Sequence, residues 1–246
     1  MSAPVLEAKD VTKVLGGGAA QVDALSGVSL SLRGGELTVL MGPSGSGKTT
    51  LLSVLGCMLA PTSGSVHICG HAADGADAEA LAKFRRDHIG FVFQSFHLFP
   101  TLTAMENVQL ALDVRGMHGD AARLKSRVAL ERVGLAHKTE SFPLALSGGE
   151  QQRVAIARAI VSEPSAILAD EPTAALDAGN GQAIMKILAE IAKDPARGVL
   201  VVTHDTRVMS FADRVIHIED GRLVGDERGG ADAAKTRAEA HSGRRA

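Results

Sequence analysis

A glycine-rich stretch at residues 42–49 reads GPSGSGKT and fits the pattern Gly-x4-Gly-Lys-Ser/Thr. Glycines allow backbone N–H groups to turn inward around a polyphosphate, and the helix that follows adds the positive end of its dipole. Lys48 can reach the β- and γ-phosphates, and the Thr49 hydroxyl can ligate magnesium. The stretch therefore predicts binding of a nucleoside triphosphate with Mg²⁺ rather than an ordinary glycine-rich turn. The residues expected to contact the phosphates are Gly42, Pro43, Ser44, Gly45, Ser46, Gly47, Lys48, Thr49 and Thr50.

Two adjacent carboxylates follow a second apolar run. Residues 166–169 read AILA and lead directly into Asp170 and Glu171. A strand buried on both faces should not end in two carboxylates unless they meet a cation or water. Asp170 suits outer-shell or water-mediated binding of magnesium, and Glu171 suits polarising an attacking water as general base. Alone, the pair is also compatible with a simple turn, but the phosphate loop upstream favours catalysis.

A pair of adjacent glycines begins a further predicted helix, in the sequence LSGGEQQR at residues 146–153. Ser147 caps the helix, while Gly148 and Gly149 expose backbone N–H groups at its positive end. An ordinary capped helix explains Ser147 and Glu150, which have capping-box spacing, but it does not explain the paired glycines. One chain thus carries two helix ends suited to binding phosphate, roughly 100 residues apart.

The elements that must hold these residues alternate between strand and helix. Buried strands are predicted at 37–41, 89–93, 166–169 and 199–202, and Ile216 and Ile218 alternate before the turn signal Asp220-Gly221. Residues 101–162 are mainly helical by their apolar spacing. The pattern predicts an α/β core sheet with a helical lobe inserted at about 95–160 and a small antiparallel β region. Residues 1–225 form the predicted domain, and 226–246, without apolar periodicity, are predicted to be a disordered tail.

These motifs together resemble the ATP-binding-cassette family. Its signature sequence matches LSGGEQQR, although the family usually has Gln where this chain has Glu150. The resemblance covers about residues 5–224 and implies a P-loop NTPase fold of the RecA type and hydrolysis of ATP. Residues 91–108 (FVFQSFHLFPTLTAMENV) and 143–153 resemble the branch that includes lipoprotein-release, macrolide-export and cell-division ATPases.

The resemblance assigns further roles. Gln94 corresponds to the glutamine that contacts magnesium and water, and His204 to the histidine that contacts the γ-phosphate. Asp177 belongs to the loop through which two subunits sense each other. Val14 is expected in the slot where the family usually stacks an aromatic residue on adenine, and this chain has neither Tyr nor Trp. ATP preference over GTP is therefore less firmly predicted than phosphate binding.

The same resemblance implies partners. Two copies are expected to form a head-to-tail dimer, with each ATP held between the phosphate loop of one copy and Ser147 to Glu150 of the other. A separate integral-membrane permease subunit is expected to dock near Gln94, so that the protein lies at the cytoplasmic face of the cell membrane.

Composition argues against several other classes of protein. The chain has 26 Lys plus Arg against 28 Asp plus Glu, so nothing indicates nucleic acid as a partner. Cys57 and Cys69 are expected to be buried thiols, too few for a disulfide scaffold or a zinc site. No apolar run approaches the ~20 residues of a membrane span, and no signal peptide is predicted.

Three alternatives share some of the motifs. A DNA-maintenance ATPase usually inserts a long coiled coil or zinc module between the two halves, and the segment between Lys48 and Ser147 has neither sustained heptads nor a cysteine cluster. A module that gates a cell-envelope complex through a membrane partner shares the chemistry and differs in output. A small-molecule kinase has no use for the second helix end at Ser147.

Overall fold

The computed structural model describes residues 3–18, 21–73 and 75–229, which form two β-sheets and a set of helices. The smaller sheet is antiparallel, with strand order β2-β1-β4-β5. Its strands are β1 (Leu6–Leu15), β2 (Val22–Leu32), β4 (Ser63–Ile68) and β5 (His71–Ala72).

The larger sheet has strand order β10-β9-β3-β8-β7-β6. Its strands are β3 (Leu37–Met41), β6 (Ile89–Val92), β7 (Ala166–Asp170), β8 (Gly198–Thr203), β9 (Arg214–Glu219) and β10 (Arg222–Arg228). Neighbouring strands are parallel from β9 to β6, and β10 is antiparallel to β9. The carboxyl ends of the parallel strands therefore meet at one edge, where ligands bind in open α/β sheets.

The α-helices of the described chain are α1 (Lys48–Leu55), α2 (Ala78–His88), α3 (Ala104–Asp113), α4 (Gly119–Arg132), α5 (Gly148–Ile160) and α6 (Ala178–Ala192). Helices α3, α4 and α5 pack on one another. The capping box predicted at Ser147 and Glu150 is present, and Thr103 forms a second one with Glu106. None of the helices in the described ranges is long and apolar enough to span a bilayer.

Two hydrophobic clusters cover the faces of the larger sheet. Val39 packs into one cluster with residues of α3, α5 and α6, while Leu40 packs into the other with α1 and the small sheet. Successive side chains of a strand point to opposite faces, so every residue of β3 and β8 is buried. The sheet is thus fixed from both sides, and its carboxyl edge is a rigid platform.

The end of the sheet extends beyond the predicted boundary at 225. Strand β10 continues to Arg228, because it pairs with β9 along its length and Asp226 accepts a bidentate pair from Arg214, at 2.6 and 2.7 Å. Of the predicted tail at 226–246, residues 230–246 lie outside the described part of the chain.

One expectation about a side chain is wrong. Cys57 is buried as predicted, but Cys69 is exposed, because it follows β4 at the surface turn into β5.

Candidate active site

A cavity of about 910 Å³ lies at the carboxyl edge of the larger sheet, around the loop that joins β3 to α1. It brings together residues from six distant parts of the chain. The lining residues are Leu15, Val22, Asp23, Ala24, Pro43, Ser44, Gly45, Gly47, Lys48, Thr49, Thr50, Gln94, Glu171, Ala174, His204, Asp220 and Gly221. Of the predicted phosphate-loop residues, Gly42 and Ser46 are not among those that line the cavity.

The loop has a backbone that requires glycine at two positions. Gly47 has φ of +97°, in the left-handed region. A Cβ on Gly42 would lie 2.2 Å from the Ile218 carbonyl oxygen and 2.7 Å from Ser46 Oγ. Lys48 Nζ donates to the carbonyl oxygens of Gly42 and Pro43, at 2.8 and 2.7 Å. The ammonium therefore lies within the curve of the loop.

Thr49 and Asp170 form an oxygen-rich corner. Thr49 Oγ1 donates to Asp170 Oδ1 at 3.4 Å, across the gap between α1 and β7. Burial, and next the charge of Glu171, raise the pKa of Asp170. A divalent cation would offset both effects. A hydroxyl, a carboxylate and the Gln94 amide are the hard oxygen ligands that Mg²⁺ prefers beside substrate phosphates, so these residues fit that ion.

Glu171 is held by two side chains at the end of β8, that of Thr203, the last residue of the strand, and that of His204, which follows it. Its Oε2 accepts from Thr203 Oγ1 at 2.9 Å, and its Oε1 lies 2.7 Å from His204 Nδ1. The residue has φ of +46°, and its backbone N–H donates to Val202 at 2.8 Å. Its side chain is 15% exposed, whereas His204 is 67% exposed. The carboxylate is thus fixed at the cavity wall, where a water molecule can reach it.

The second glycine-bearing helix end lies elsewhere. Ser147, Gly148, Gly149 and Glu150 do not line the cavity around Lys48. Ser147 N–H donates to Glu150 Oε2 at 2.8 Å, and this bond holds the pKa of Glu150 below its usual range. The carboxylate therefore serves well as the second half of the capping box.

The start of α6 packs against this helix end. Asp177 caps α6 through a bond from the Asn180 backbone N–H, at 2.9 Å, and also accepts from the Asn180 side chain, at 2.6 Å. A Cβ on Gly149 would lie 2.4 Å from Asn180 Oδ1, so the helices approach closely only because residue 149 is glycine. The predicted signature and the predicted subunit-sensing residue Asp177 are therefore neighbours on one surface.

The aliphatic wall of the cavity offers an alternative to the residue predicted for the adenine slot. Val14, predicted for the adenine slot, does not line the cavity, but Leu15 does. Leu15 pairs with Val22 across β1 and β2, and the two side chains are 38% and 60% exposed. Leu15 ends β1 and Val22 begins β2, so the two side chains form an exposed apolar surface beside the phosphate loop.

Comparison with known proteins agrees with this arrangement. The family model described as ABC transporter matches residues 25–174, which include the phosphate loop, the second helix end and the Asp170–Glu171 pair. The chain belongs to this family. The match confirms the resemblance predicted from LSGGEQQR.

Curated relatives place the chain near one branch of ABC transporters. The macrolide export ATP-binding/permease protein MacB of Shigella flexneri is 44% identical over 221 residues, and so is MacB of Escherichia coli strain K12. Each alignment covers 90% of this chain but 34% of the relative. The chain therefore spans about a third of the length of these relatives. The predicted resemblance to the macrolide-export branch is confirmed.

Solved ABC cassettes share the fold. A dimeric structure of the cassette MJ0796, in a post-hydrolysis state with ADP and phosphate, has a TM-score of 0.83 and 43% identity, covering 91% of this chain and 98% of that one. CbiO1 of Clostridium perfringens has a TM-score of 0.85 at 28% identity, covering 99% and 96%. The predicted α/β P-loop NTPase fold is confirmed.

Replacing Leu15 tests how this ABC cassette holds the base. Leu15→Tyr should tighten ATP binding by about 1–3 kcal/mol, because an aromatic ring stacks on a base better than an aliphatic side chain does. Titration with a fluorescent ATP analogue measures the change. Val14→Tyr is the matched control, since Val14 precedes Leu15 on the same strand and does not line the cavity. Tighter binding with Val14→Tyr, and none with Leu15→Tyr, would contradict the assignment.

Proposed function

We propose that this chain is the ATP-hydrolysing subunit of an ABC transporter and drives a separate membrane permease of the export, lipoprotein-release or mechanotransmission type. The observation that carries the proposal is the single cavity in which Lys48, Thr49, Glu171 and His204 meet. A phosphate-binding loop faces a fixed carboxylate there. This is the arrangement needed to hold a triphosphate and direct water at its terminal phosphorus.

Each of these residues has its own role in the hydrolysis reaction. Lys48 neutralises charge on the β- and γ-phosphate oxygens, and the N-terminus of α1 adds its dipole. Glu171 accepts a hydrogen bond from the attacking water and takes its proton as the oxygen adds to the γ-phosphorus, whose bond to the β–γ bridging oxygen breaks so that ADP leaves. Thr203 and His204 orient that carboxylate through bonds of 2.9 and 2.7 Å. Thr49, Asp170 and Gln94 would hold Mg²⁺, which when bound neutralises charge on the β- and γ-oxygens.

A second copy completes the site in this proposal. The helix end at Ser147 to Glu150 lies outside the cavity of its own subunit, and its N–H groups suit an anion. A head-to-tail pair would bring it to the triphosphate of the partner. The dimeric MJ0796 cassette supports this assembly.

Paired substitutions of helix caps test the dimer. Ser147→Ala and Thr103→Ala each remove the hydroxyl of a capping box, and each should cost about 0.5–2 kcal/mol of stability. Because Thr103 lies far along the chain from the proposed phosphate-binding residues, we expect Ser147→Ala alone to weaken ATP-dependent dimerisation. Light scattering after size-exclusion chromatography gives the dimer fraction. Equal loss, or no loss, in the two variants would count against the composite site.

An exposed apolar surface near Gln94 suits the permease. Phe99, Phe142 and Leu144 are 54%, 49% and 93% exposed. Their segments are joined where the Ala104 N–H donates to the Ser141 carbonyl, at 2.8 Å. Docking there would place the protein at the cytoplasmic face of the membrane. Coexpression with the permease encoded by a neighbouring reading frame tests this, and stimulation of ATP hydrolysis by that permease is the expected result.

A further inference from the structure

Arg158, on α5, holds the segment that follows Gln94. Its Nη1 donates to the His97 carbonyl at 2.6 Å and its Nη2 to the Phe96 carbonyl at 2.8 Å. A planar guanidinium that donates two bonds to consecutive carbonyls fixes the orientation of both peptide groups. The contact joins two parts of the chain 61 and 62 residues apart.

The two residues that Arg158 holds have an unfavourable backbone. Phe96 and His97 have φ of +60° and +49°, in the left-handed region that residues other than glycine seldom adopt. Two such residues in succession persist only when the surroundings impose the conformation. The bonds from Arg158 are such a constraint, so without them the segment should relax to other conformations.

The guanidinium itself depends on these carbonyls. Burial lowers the pKa of Arg158, and no salt bridge of the described residues includes it. A half-buried cation without a carboxylate partner must be compensated by dipoles. Release of the Gln94 segment would therefore leave Arg158 poorly solvated, which favours the state in which segment and helix move together.

The same segment also lies close to the start of α5. A Cβ placed on Gly148 would lie 3.8 Å from Cζ of Phe96. Gln94, two residues before Phe96, lines the cavity around Lys48. The segment 94–97 thus lies near the proposed phosphate-binding end of α5 and is bonded to Arg158, about 15 Å further along the helix axis.

We propose that Arg158 is a positioning residue that ties Gln94, in the ATP site of its own subunit, to the helix that presents Ser147 to the partner's ATP. The inference rests on the proposed function. A change at Gln94 would move α5 as a body because the guanidinium links the two. Arg158 touches no phosphate and no reacting water in this scheme, so it should affect turnover through geometry and leave nucleotide binding to the phosphate loop.

A matched arginine provides the control. Arg115 also donates to backbone carbonyls, those of Arg86 and Ser162, and burial likewise lowers its pKa. None of its contacts involves the Gln94 segment. Arg115→Ala should therefore show how far kcat changes when an arginine that bonds to backbone carbonyls is removed away from the ATP site.

The experiment compares Arg158→Ala, Arg158→Lys and Arg115→Ala in the full chain. In Arg158→Ala we expect kcat for ATP hydrolysis to fall about 10- to 100-fold. This is the effect expected from losing one or two hydrogen bonds to a charged group. The Kd for ATP should stay within about twofold, because the phosphate loop is unchanged. Arg158→Lys should not restore kcat, since an ammonium cannot donate in the same bidentate geometry. Millimolar guanidinium added to Arg158→Ala should restore part of it.

Hydrogen exchange gives a readout that needs no hydrolysis. The backbone N–H groups of residues 95–98 should exchange faster in both Arg158 variants and at the wild-type rate in Arg115→Ala. Equal losses of kcat in Arg158→Ala and Arg115→Ala, or unchanged exchange at 95–98, would overturn the inference. A wild-type chain that hydrolyses no ATP would instead contradict the proposed function, and the exchange result would still decide the role of Arg158.

Discussion

Glu171→Gln should lower ATP turnover by about 10²–10⁴-fold while ATP still binds, because it removes the base that accepts the proton of the attacking water. The amide keeps the size of the side chain, and its oxygen can still accept the bond from Thr203 Oγ1 that the carboxylate accepts at 2.9 Å. Loss of the negative charge beside the phosphates should leave the affinity for ATP equal or higher. Phosphate release at saturating ATP measures turnover, and titration with labelled ATP measures binding.

The same variant should accumulate a dimer. With hydrolysis blocked, each ATP that contacts two subunits stabilises the state to which it binds, by mass action. Size-exclusion chromatography with light scattering should give a monomer without nucleotide and a dimer with ATP. Glu163→Gln is the matched control, because Glu163 also has positive φ and pairs with a basic side chain, Lys125, but lies outside the cavity. Normal hydrolysis by Glu171→Gln would show that another group is the base.

The phosphate loop, the acidic pair and the signature could be predicted because each is a contiguous pattern. Lys48 follows a strand and opens a helix, and the backbone between them is dictated locally by glycines such as Gly47. Glu171 follows an apolar strand whose burial could be inferred from AILA alone. In each case the residues that create the local geometry and the residue that uses it are neighbours in sequence, so no tertiary contact had to be known.

The aliphatic residue that lines the cavity could not be predicted in this way. Strand β1 has irregularities between Ala8 and Val11, between Val11 and Lys13 and between Lys13 and Val14. Each irregularity changes which side chains face a given side, and a shift by one residue reverses the faces. Family position suggested Val14, whereas the folded hairpin places Leu15 opposite Val22 at the cavity. Strand β1 itself gave little signal, because LEAKDVTKVL alternates poorly.

Thr203 and Arg158 were missed for another reason. Thr203 acts on Glu171 from 32 residues away, and Arg158 acts on the Gln94 segment from about 60 residues away. The sequence does contain a signal for Thr203, because this hydroxyl-bearing residue directly precedes His204 at the end of the strand that pairs with β7. Arg158 gave none, because an arginine among the apolar residues of α5 is equally compatible with a surface position. Contacts of this kind depend on how helices and strands pack.

Lys48→Ala should abolish hydrolysis and weaken nucleotide binding, and its effect should exceed that of any other single substitution in the loop. Removing one preorganised donor of charge stabilisation typically lowers kcat by about 10²–10³-fold. Here the ammonium also donates to the carbonyl oxygens of Gly42 and Pro43, so its loss removes bonds that hold the loop itself. Both kcat and the affinity for ATP should therefore fall, in contrast to Glu171→Gln, where kcat alone falls.

Two further variants separate charge from position. Lys13→Ala removes a lysine that also donates to a backbone carbonyl, that of Ala60 at 2.8 Å, but lies outside the cavity, so it should retain wild-type turnover. Lys48→Arg keeps the charge, yet Nζ lies 2.7–2.8 Å from two loop carbonyls and Lys48 is only 8% exposed, which leaves little room for a planar guanidinium. We therefore expect Lys48→Arg to be nearly as inactive as Lys48→Ala. Hydrolysis at the wild-type rate in Lys48→Ala would mean that the triphosphate is bound elsewhere, because no site built on this loop can lose its ammonium without losing stabilisation of the transferring phosphoryl group.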